Sequence, residues 1–420
     1  MQLLFVLFCA ALCAAAWPSE ARAQDPVSRP FRPIFGAVVE RPNSRQALDV
    51  TATLQQAFGH DPALQESSWY PHAALDVQYR RQVKSLTFTA SAGSTGQYYS
   101  QRGPRFDRSH NVGATLDMPV GPWTRIRLGQ TGSYANFFTL SGLPGGALPD
   151  AAGVLPGQDL LAPAADFGMS STTGHQRGSR ISITQQLLPG GTLEARYDIG
   201  GAEVSGQRTT RREVGGRYRQ GITDGLGIVA GYGVERARNG AGVAVEIRNI
   251  DLGVDYRRAL SRSRNTTLAV TTGSAVVEQD GGREYRILGD ARLIRLIGRS
   301  WSTSIGYNRG VEFMPVLGDV LASDAVTVTL DGFASRALQT SISASYSLGT
   351  LGVQNAGRLA TTLGVARIEY GFARSVAVNA QYTFYAHELG SGPALLETLD
   401  PMTTQHRVRV GLNLWLPMFH

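Results

Sequence analysis

Leu193-Glu194-Ala195-Arg196-Tyr197-Asp198-Ile199 is the stretch whose reading decides the fold. Successive side chains of an extended strand point to opposite faces. Leu193, Ala195, Tyr197 and Ile199 therefore share one apolar face, and Glu194, Arg196 and Asp198 share a fully charged one. The pattern recurs along the chain. Ile250, Leu252, Val254 and Tyr256 alternate with Asn249, Asp251, Gly253, Asp255 and Arg257. Trp301, Thr303, Ile305 and Tyr307 alternate with serine, glycine and asparagine, and Val408, Val410, Leu412 and Leu414 alternate with Arg407, Arg409, Gly411 and Asn413. Amphipathic stretches of helical period are almost absent.

Working outward, this alternation marks candidate strands near 47–58, 71–82, 84–98, 108–119, 123–139, 177–188, 192–204, 207–220 and 226–238. It continues near 244–258, 264–277, 283–296, 300–311, 323–335, 339–349, 357–370, 375–387 and 403–416. The first of these is the weakest. In 357–370 the apolar face shifts from Leu363 and Val365 to Ala366, Ile368 and Tyr370, which predicts a bulge or a displaced boundary. The segments exceed the five or six residues of ordinary soluble strands and suit a tilted bilayer crossing. Links after even-numbered strands are tight, such as Pro189-Gly190-Gly191 and Gly371-Phe372-Ala373-Arg374. Links after odd ones include the longer 140–176, 312–322 and 388–402. Short turns on one side and longer loops on the other are the habit of membrane barrels. The expected fold is all-β, a transmembrane antiparallel up-and-down barrel of about 16–18 strands over residues 47–420, with an even strand count and both termini periplasmic. Tyr218, Tyr256, Phe333 and Tyr370 each close a strand before a polar turn, at spacings of 38, 77 and 37 residues. That spacing predicts an aromatic girdle at the short-turn side, and ordinary cross-strand aromatic packing is compatible with it.

The amino-terminal residues set the address. An apolar run from Leu3 to Trp17 is broken by Pro18, and Ala21-Arg22-Ala23 precedes Gln24. This is the pattern of a secretory signal peptide over 1–23, although no Lys or Arg precedes the apolar run. A lipoprotein signal is excluded by Phe8 before Cys9 and Leu12 before Cys13. Cleavage would remove both cysteines and with them any disulfide or cysteine-ligated metal. Residues 24–46 are proline-rich and read as a periplasmic extension too short to form a plug. After Ala23 no stretch reaches the roughly 18 to 20 apolar residues of a membrane helix. The implied location is the outer membrane of a Gram-negative bacterium, reached by the Sec route. The implied surroundings are outer-membrane lipid and lipopolysaccharide.

Glycine is abundant at 49 residues, mean hydropathy is −0.12 and the formal charge is +7, with Lys84 as the only lysine. The arginines are scattered singly along alternating segments, which argues against nucleic acid as a partner. They read as a solvated or lumen-facing population. Arg80, Arg125, Arg127, Arg196, Arg217, Arg219, Arg257, Arg292, Arg407 and Arg409 are the pore-lining candidates. Asp76, Glu194, Asp198, Glu213 and Asp255 are interleaved with them, as are Asp117, Asp251 and Asp290. Two readings stay open: an arginine-rich pore lining that sets selectivity, or cross-strand Arg–carboxylate pairs that brace the wall.

The seven histidines show no His-x-x-x-His spacing, and there is no Gly-x-Ser-x-Gly elbow. No catalytic, cofactor or metal site is expected, and an outer-membrane hydrolase ranks behind a channel and behind a structural or adhesin-like barrel with a closed lumen.

Tyr218-Arg219 and Tyr256-Arg257 at strand ends, the turn Thr223-Asp224-Gly225 and a last strand with Phe419 near its end carry a family resemblance. The chain resembles outer-membrane β-barrel porins of the second type, a family associated with exopolysaccharide loci. The resemblance spans residues 47–420; Pro417 and His420 depart from the usual ending. It implies insertion by the barrel-assembly machinery, polysaccharide-export components as partners, and passage or export of anionic polysaccharide or small anionic solutes. The segment 140–176 is rich in Gly, Pro and Ala and carries almost no charge. A loop that long is usually functional or disordered. If it folds into the mouth, its deletion raises single-channel conductance; unchanged conductance identifies an outward flap.

Overall fold

The computed structural model describes residues 34–36 and most of 46–419. The exceptions are 62–65, 100–104, 136–173, 260–265, 315–318, 354–356, 391–401 and a few single turn residues. The segment expected to be a signal peptide and almost all of the proline-rich extension lie outside the described residues, as does 140–173 of the long loop. Eighteen strands follow in chain order. They are β1 (Gln46–Asp61), β2 (Glu66–Val83), β3 (Leu86–Tyr99), β4 (Arg105–Val120), β5 (Thr124–Ala135) and β6 (Gly174–Leu188). Next come β7 (Gly191–Val204), β8 (Gln207–Thr223), β9 (Leu226–Arg238), β10 (Ala244–Ala259), β11 (Thr266–Gln279) and β12 (Gly282–Ile297). The last are β13 (Trp301–Met314), β14 (Asp319–Phe333), β15 (Leu338–Leu351), β16 (Gly357–Ala373), β17 (Val376–Leu389) and β18 (Met402–Phe419).

Every strand pairs antiparallel with its neighbours in sequence, and β1 pairs with β18, so the sheet closes. The closing seam runs from Leu48 opposite Phe419 to His60 opposite His406. The expected first strand is thus fully paired on both sides.

Side chains that reach past their neighbouring strands identify the concave face. Arg211 on β8 approaches Glu312 on β13 to 3.8 Å, five strands away, which only the interior of a closed sheet permits. Gln55 on β1 likewise donates to Asn379 on β17 at 2.5 Å. The opposite register carries the exposed apolar side chains. Leu54, Val112, Ile183, Val214, Leu252 and Ile287 are between 43% and 70% exposed on the convex face. An apolar belt of this extent is not left open to water in an ordinary soluble protein.

The sequence-based details fare unevenly. Tyr218, Tyr256 and Tyr370 all lie on the convex register at the short-turn end. Phe333 does not, because it pairs with Gln339 in the same face as the hydrogen-bonded Asp331 and Ser341. Its place in the convex row is taken by Trp301, whose ring lies over Gly332 and would collide with any Cβ there. The bulge expected within 357–370 is absent: β16 keeps continuous register with β15 and breaks it with β17 only between Gly371 and Ala373. Leu363 and Val365 are simply concave-face residues. The link expected at 312–322 shrinks to the residues between Met314 and Asp319, since alternation runs on to both.

At the short-turn end the Ile34 and Gly36 N–H groups donate to the carbonyls of Arg336 and Arg374, holding residues 34–36 against two turns. At the long-loop end a buried apolar cluster joins Ala237, Val245, Ile247, Ala275 and Val277 to Phe313 and Val320. The tip of the β13–β14 hairpin thereby covers part of the concave face of β9–β11.

Closure depends on one close approach. A Cβ on Gly411 of β18 would overlap the Leu54 carbonyl oxygen and the Gln55 backbone on β1. Gly411→Val is therefore expected to destabilise the barrel by about 1–3 kcal/mol, the cost of overpacking against backbone that cannot yield. At Gly289 the nearest atom a Cβ would meet is the Thr271 carbonyl at 3.8 Å, so Gly289→Ala should stay within about 0.5 kcal/mol of the parent. Denaturant midpoints of the refolded proteins check both.

Candidate functional site

The site is the concave wall, built by the same two-residue period that builds the convex belt. On β4–β9 that period puts one charged residue after another on the inside. Asp117 of β4 accepts from Arg127 at 3.1 Å and lies 3.3 Å from Arg125, both on β5. Asp198 of β7 pairs with Arg180 of β6 at 2.5 Å. Arg196 of β7 pairs with Glu213 of β8. Arg211 of β8 then holds Glu213 at 3.0 Å and Glu235 of β9 at 2.6 Å.

One regularity runs through these pairs. Side-chain exposure is 62% for Arg180 against 16% for Asp198, 47% for Arg196 against 6% for Glu213, and 30% for Arg211 against 4% for Glu235. Arg125 and Arg127 likewise stand above Asp117. In each pair the guanidinium faces the lumen and the carboxylate lies beneath it.

The facing arc is dominated by hydroxyls, with Asp331 and Glu312 as carboxylates among them. Ser302 and Ser304 on β13, Thr327 and Thr329 on β14, and Ser341, Ser343, Ser345 and Ser347 on β15 share the concave register. Ser304 and Thr329 hydroxyls lie 2.6 Å apart, as do those of Ser347 and Thr361. Hydroxyl–hydroxyl pairs of this sort satisfy the wall without adding charge.

A third arc, over β16–β18 and β1–β2, is packed. Asn379 donates to Asn413 at 2.6 Å, Asn413 donates to Glu369 at 2.5 Å, and Thr53 donates to Asn413 at 3.0 Å. Arg407 lies 5.5 Å from the centroid of the Tyr70 ring. Arg407, Arg409, His72 and Asn379 are all buried.

The register puts all fifteen pore-lining candidates on the concave strand face. Their surroundings differ. Arg125, Arg127, Arg196, Asp198 and Glu213 belong to the layered pairs. Arg80 and Arg217 are exposed and make no ion pair among the described residues, although Glu194 stands directly opposite Arg217. Arg219 lies close over Gly227, whose Cβ would come within 3.5 Å of its Nε. Arg292 shares the face with Asp290, and Asp76 stands opposite Gly93. Arg257 and Asp255 are placed by strand register alone. Arg180, Arg211, Glu235 and Glu312 were missed, although extending the parity of their own strands would have found each one. Arginine also occupies the convex register, at Arg212, Arg236, Arg248 and Arg283, so a lumen-facing population describes only part of it.

Among the described residues no group of three His, Cys, Asp or Glu side chains could hold a metal ion. The serine–histidine hydrogen bonds, Ser67 with His60 at 2.8 Å and Ser94 with His110 at 3.0 Å, stand on the convex register.

No protein-family model matches the chain, and no curated protein does, so the resemblance to barrels of exopolysaccharide loci gains no support. Solved structures do resemble it at low identity. Pseudomonas aeruginosa OccK11 (OpdR) is 11% identical with a TM-score of 0.42, covering 93% of this chain and 99% of its own. Acinetobacter baumannii OccAB3 is 10% identical with a TM-score of 0.43, covering 88% and 99%. The siderophore receptor PirA from Pseudomonas aeruginosa is 9% identical with a TM-score of 0.41, covering 90% and 81%. The closed barrel described above rests on the chain's own strand pairing.

Arg211 is the keystone of the layered pairs, because Glu213 and Glu235 stand directly opposite each other across β8 and β9. Removing it leaves two covered carboxylates facing one another. Breaking a fully buried pair costs about 3–5 kcal/mol, and partial exposure of Arg211 reduces this to about 2 kcal/mol. Arg211→Gln should therefore lower the unfolding midpoint, and Glu235→Gln in the same chain should restore most of the loss.

Proposed function

We propose that the chain is an outer-membrane, porin-like channel that passes small anionic solutes. The layered wall carries this reading: on the concave face of β4–β9 the arginine is the more exposed member of each ion pair among the described residues. An anion travelling along that wall meets guanidinium groups, while the carboxylates that hold them lie underneath. Pairing and lining then cease to be rivals, because the braces themselves present the positive charge. Arg217 is exposed on the same wall, opposite a likewise exposed Glu194, and Arg80 is exposed on β2. The Ser/Thr arc opposite offers hydroxyl donors and acceptors, and its concave face holds no arginine on β13–β15 to trap the anion. A binding surface facing one without arginine suits conduction, which needs entry to be favourable and exit not too costly.

Barrels of 16–18 strands are wide enough for an aqueous passage. The outer-membrane location is supported by the exposed apolar belt, the even strand count and the aromatic rows at both ends. Tyr218, Tyr256, Trp301 and Tyr370 stand on the convex register at the short-turn side. Trp69, Phe106, Tyr232, Tyr285 and Tyr346 stand there toward the loop side. Small solutes are favoured over an exported glycan because the packed arc and the apolar cluster both take up room inside. A closed-lumen structural barrel is the second reading, favoured by the burial of Arg407, Arg409, Asn379 and Asn413.

Single-channel recording on the refolded mature chain in a planar bilayer separates them. The proposal expects steady openings with anion permeability exceeding cation permeability. Replacing Arg127, Arg196 and Arg217 together by Gln should bring that ratio to one or below. Silence from a folded, inserted barrel supports the closed reading instead.

A further inference from the structure

The convex face should be apolar except at its rims, yet one arc of the long-loop rim is crowded with arginine. Arg208 and Arg212 on β8, Arg236 and Arg238 on β9, Arg248 on β10 and Arg283 on β12 all point outward there. Against these six stand two carboxylates on the same five strands and face, Glu246 and Glu278. Each bridges two arginines: Glu246 lies 2.8 Å from Arg236 and 2.7 Å from Arg248, and Glu278 lies 3.3 Å from Arg248 and 3.5 Å from Arg283. The chain of pairs thus begins and ends on an arginine. Even with Glu203 of β7, which stands opposite Arg208, and Asp280, which follows β11 in the sequence, the patch stays positive.

A second observation points to an anion as ligand. Arg212 stands directly opposite Arg236 across β8 and β9, with Ile199 on its other side. Like charges directly opposed across a strand pair are destabilising. Arg236 is relieved by Glu246, but Arg212 is exposed and makes no ion pair among the described residues. Just toward the middle of the barrel, Tyr232 and Tyr285 are 54% and 64% exposed on the same face. Rings with a polar tip are favoured at the headgroup level of a bilayer. The patch therefore sits at the height where phosphate groups of a lipid would lie.

We infer that Arg212 and Arg236, flanked by Arg208 and Arg238, clamp a phosphate of a phosphorylated glycolipid in the outer leaflet. Guanidinium groups are suited to bidentate contact with phosphate oxygens, and two from adjacent strands can share one phosphate. The acyl chains of the same lipid would lie along Val214, Val234 and Ile250, the convex residues nearer mid-barrel. The inference rests on the outer-membrane reading and on the long-loop end facing outward.

The test uses the full mature chain refolded into detergent micelles, with bisphosphorylated lipid A, dephosphorylated lipid A and inorganic phosphate as separate probes. Native mass spectrometry reads binding and thermal scans read stability. Bisphosphorylated lipid A should bind and raise the melting midpoint. The double variant Arg212→Gln/Arg236→Gln should bind it at least roughly tenfold more weakly, a loss on the scale of one charge-assisted contact. Without lipid that variant should be as stable as the parent or more so, because the like-charge contact is gone. Arg81→Gln, an exposed convex residue at the opposite end, should bind like the parent. Undiminished binding by the double variant, equal binding of dephosphorylated lipid A, or an equal shift from inorganic phosphate overturns the inference. Insertion into phosphatidylcholine vesicles, scored in parallel, separates the two levels. A barrel that inserts but ignores lipid A sinks the clamp alone, and one that fails to insert sinks the membrane reading with it.

Discussion

Closure of the backbone hydrogen-bond network is the constraint on which everything else hangs. In a hydrocarbon surround an unpaired N–H or C=O has no water to turn to, so a sheet must leave no edge. Here that requirement is met where β1 meets β18, over almost the whole length of both strands. Once the sheet is closed, alternation along each strand has a fixed meaning. One parity sees the surround and the other sees the interior, and a slip of one residue would exchange them. The strand register therefore does more than stabilise the wall, since it decides which arginines reach the lumen.

The order of charge on the inner wall follows from side-chain length. Asp and Glu are short and stay near the sheet, whereas Arg extends three methylenes before its planar head. When the two pair from neighbouring strands, the guanidinium lies over the carboxylate and takes the solvent-facing position. Arg180 over Asp198 and Arg196 over Glu213 show this at different heights. A wall with similar numbers of both charges can thus present one sign to the solution. Formal charge counting would miss this, because it weighs buried and exposed groups alike.

The two-residue period made the architecture legible, down to 226–238, which coincides with β9. Short polar turns then set the direction of each strand and the parity of its neighbours. Three things escaped. Phe333 looked like a girdle residue because its spacing matched, yet spacing along the chain does not reveal which face a strand end presents. The cluster of Phe313 and Val320 with Ile247 and Val277 joins elements far apart in sequence, and nothing local announces it. The reach of Arg211 to Glu312 depends on curvature, which a flat reading of strands lacks. Among the site residues, parity found the face, while the partner and the depth of burial came only with three dimensions. The convex arginines went unassigned for a related reason: an isolated Arg in an alternating segment is read as polar and therefore inward.

Two neighbouring register pairs on β8 and β9 make the contrast sharp. Glu213 faces Glu235 on the inside, and Arg212 faces Arg236 on the outside. Both are like-charge oppositions of the kind that consistent sequences avoid unless something compensates. Inside, the compensation is covalently part of the chain, because Arg211 lies between the two carboxylates and touches both. Outside, Glu246 answers Arg236 but makes no ion pair with Arg212. The proposed phosphate clamp gives this open conflict its counter-charge from the surroundings. For a barrel in the proposed outer-membrane setting, the surroundings just above exposed Tyr232 and Tyr285 that can supply a fixed negative charge are lipid headgroups.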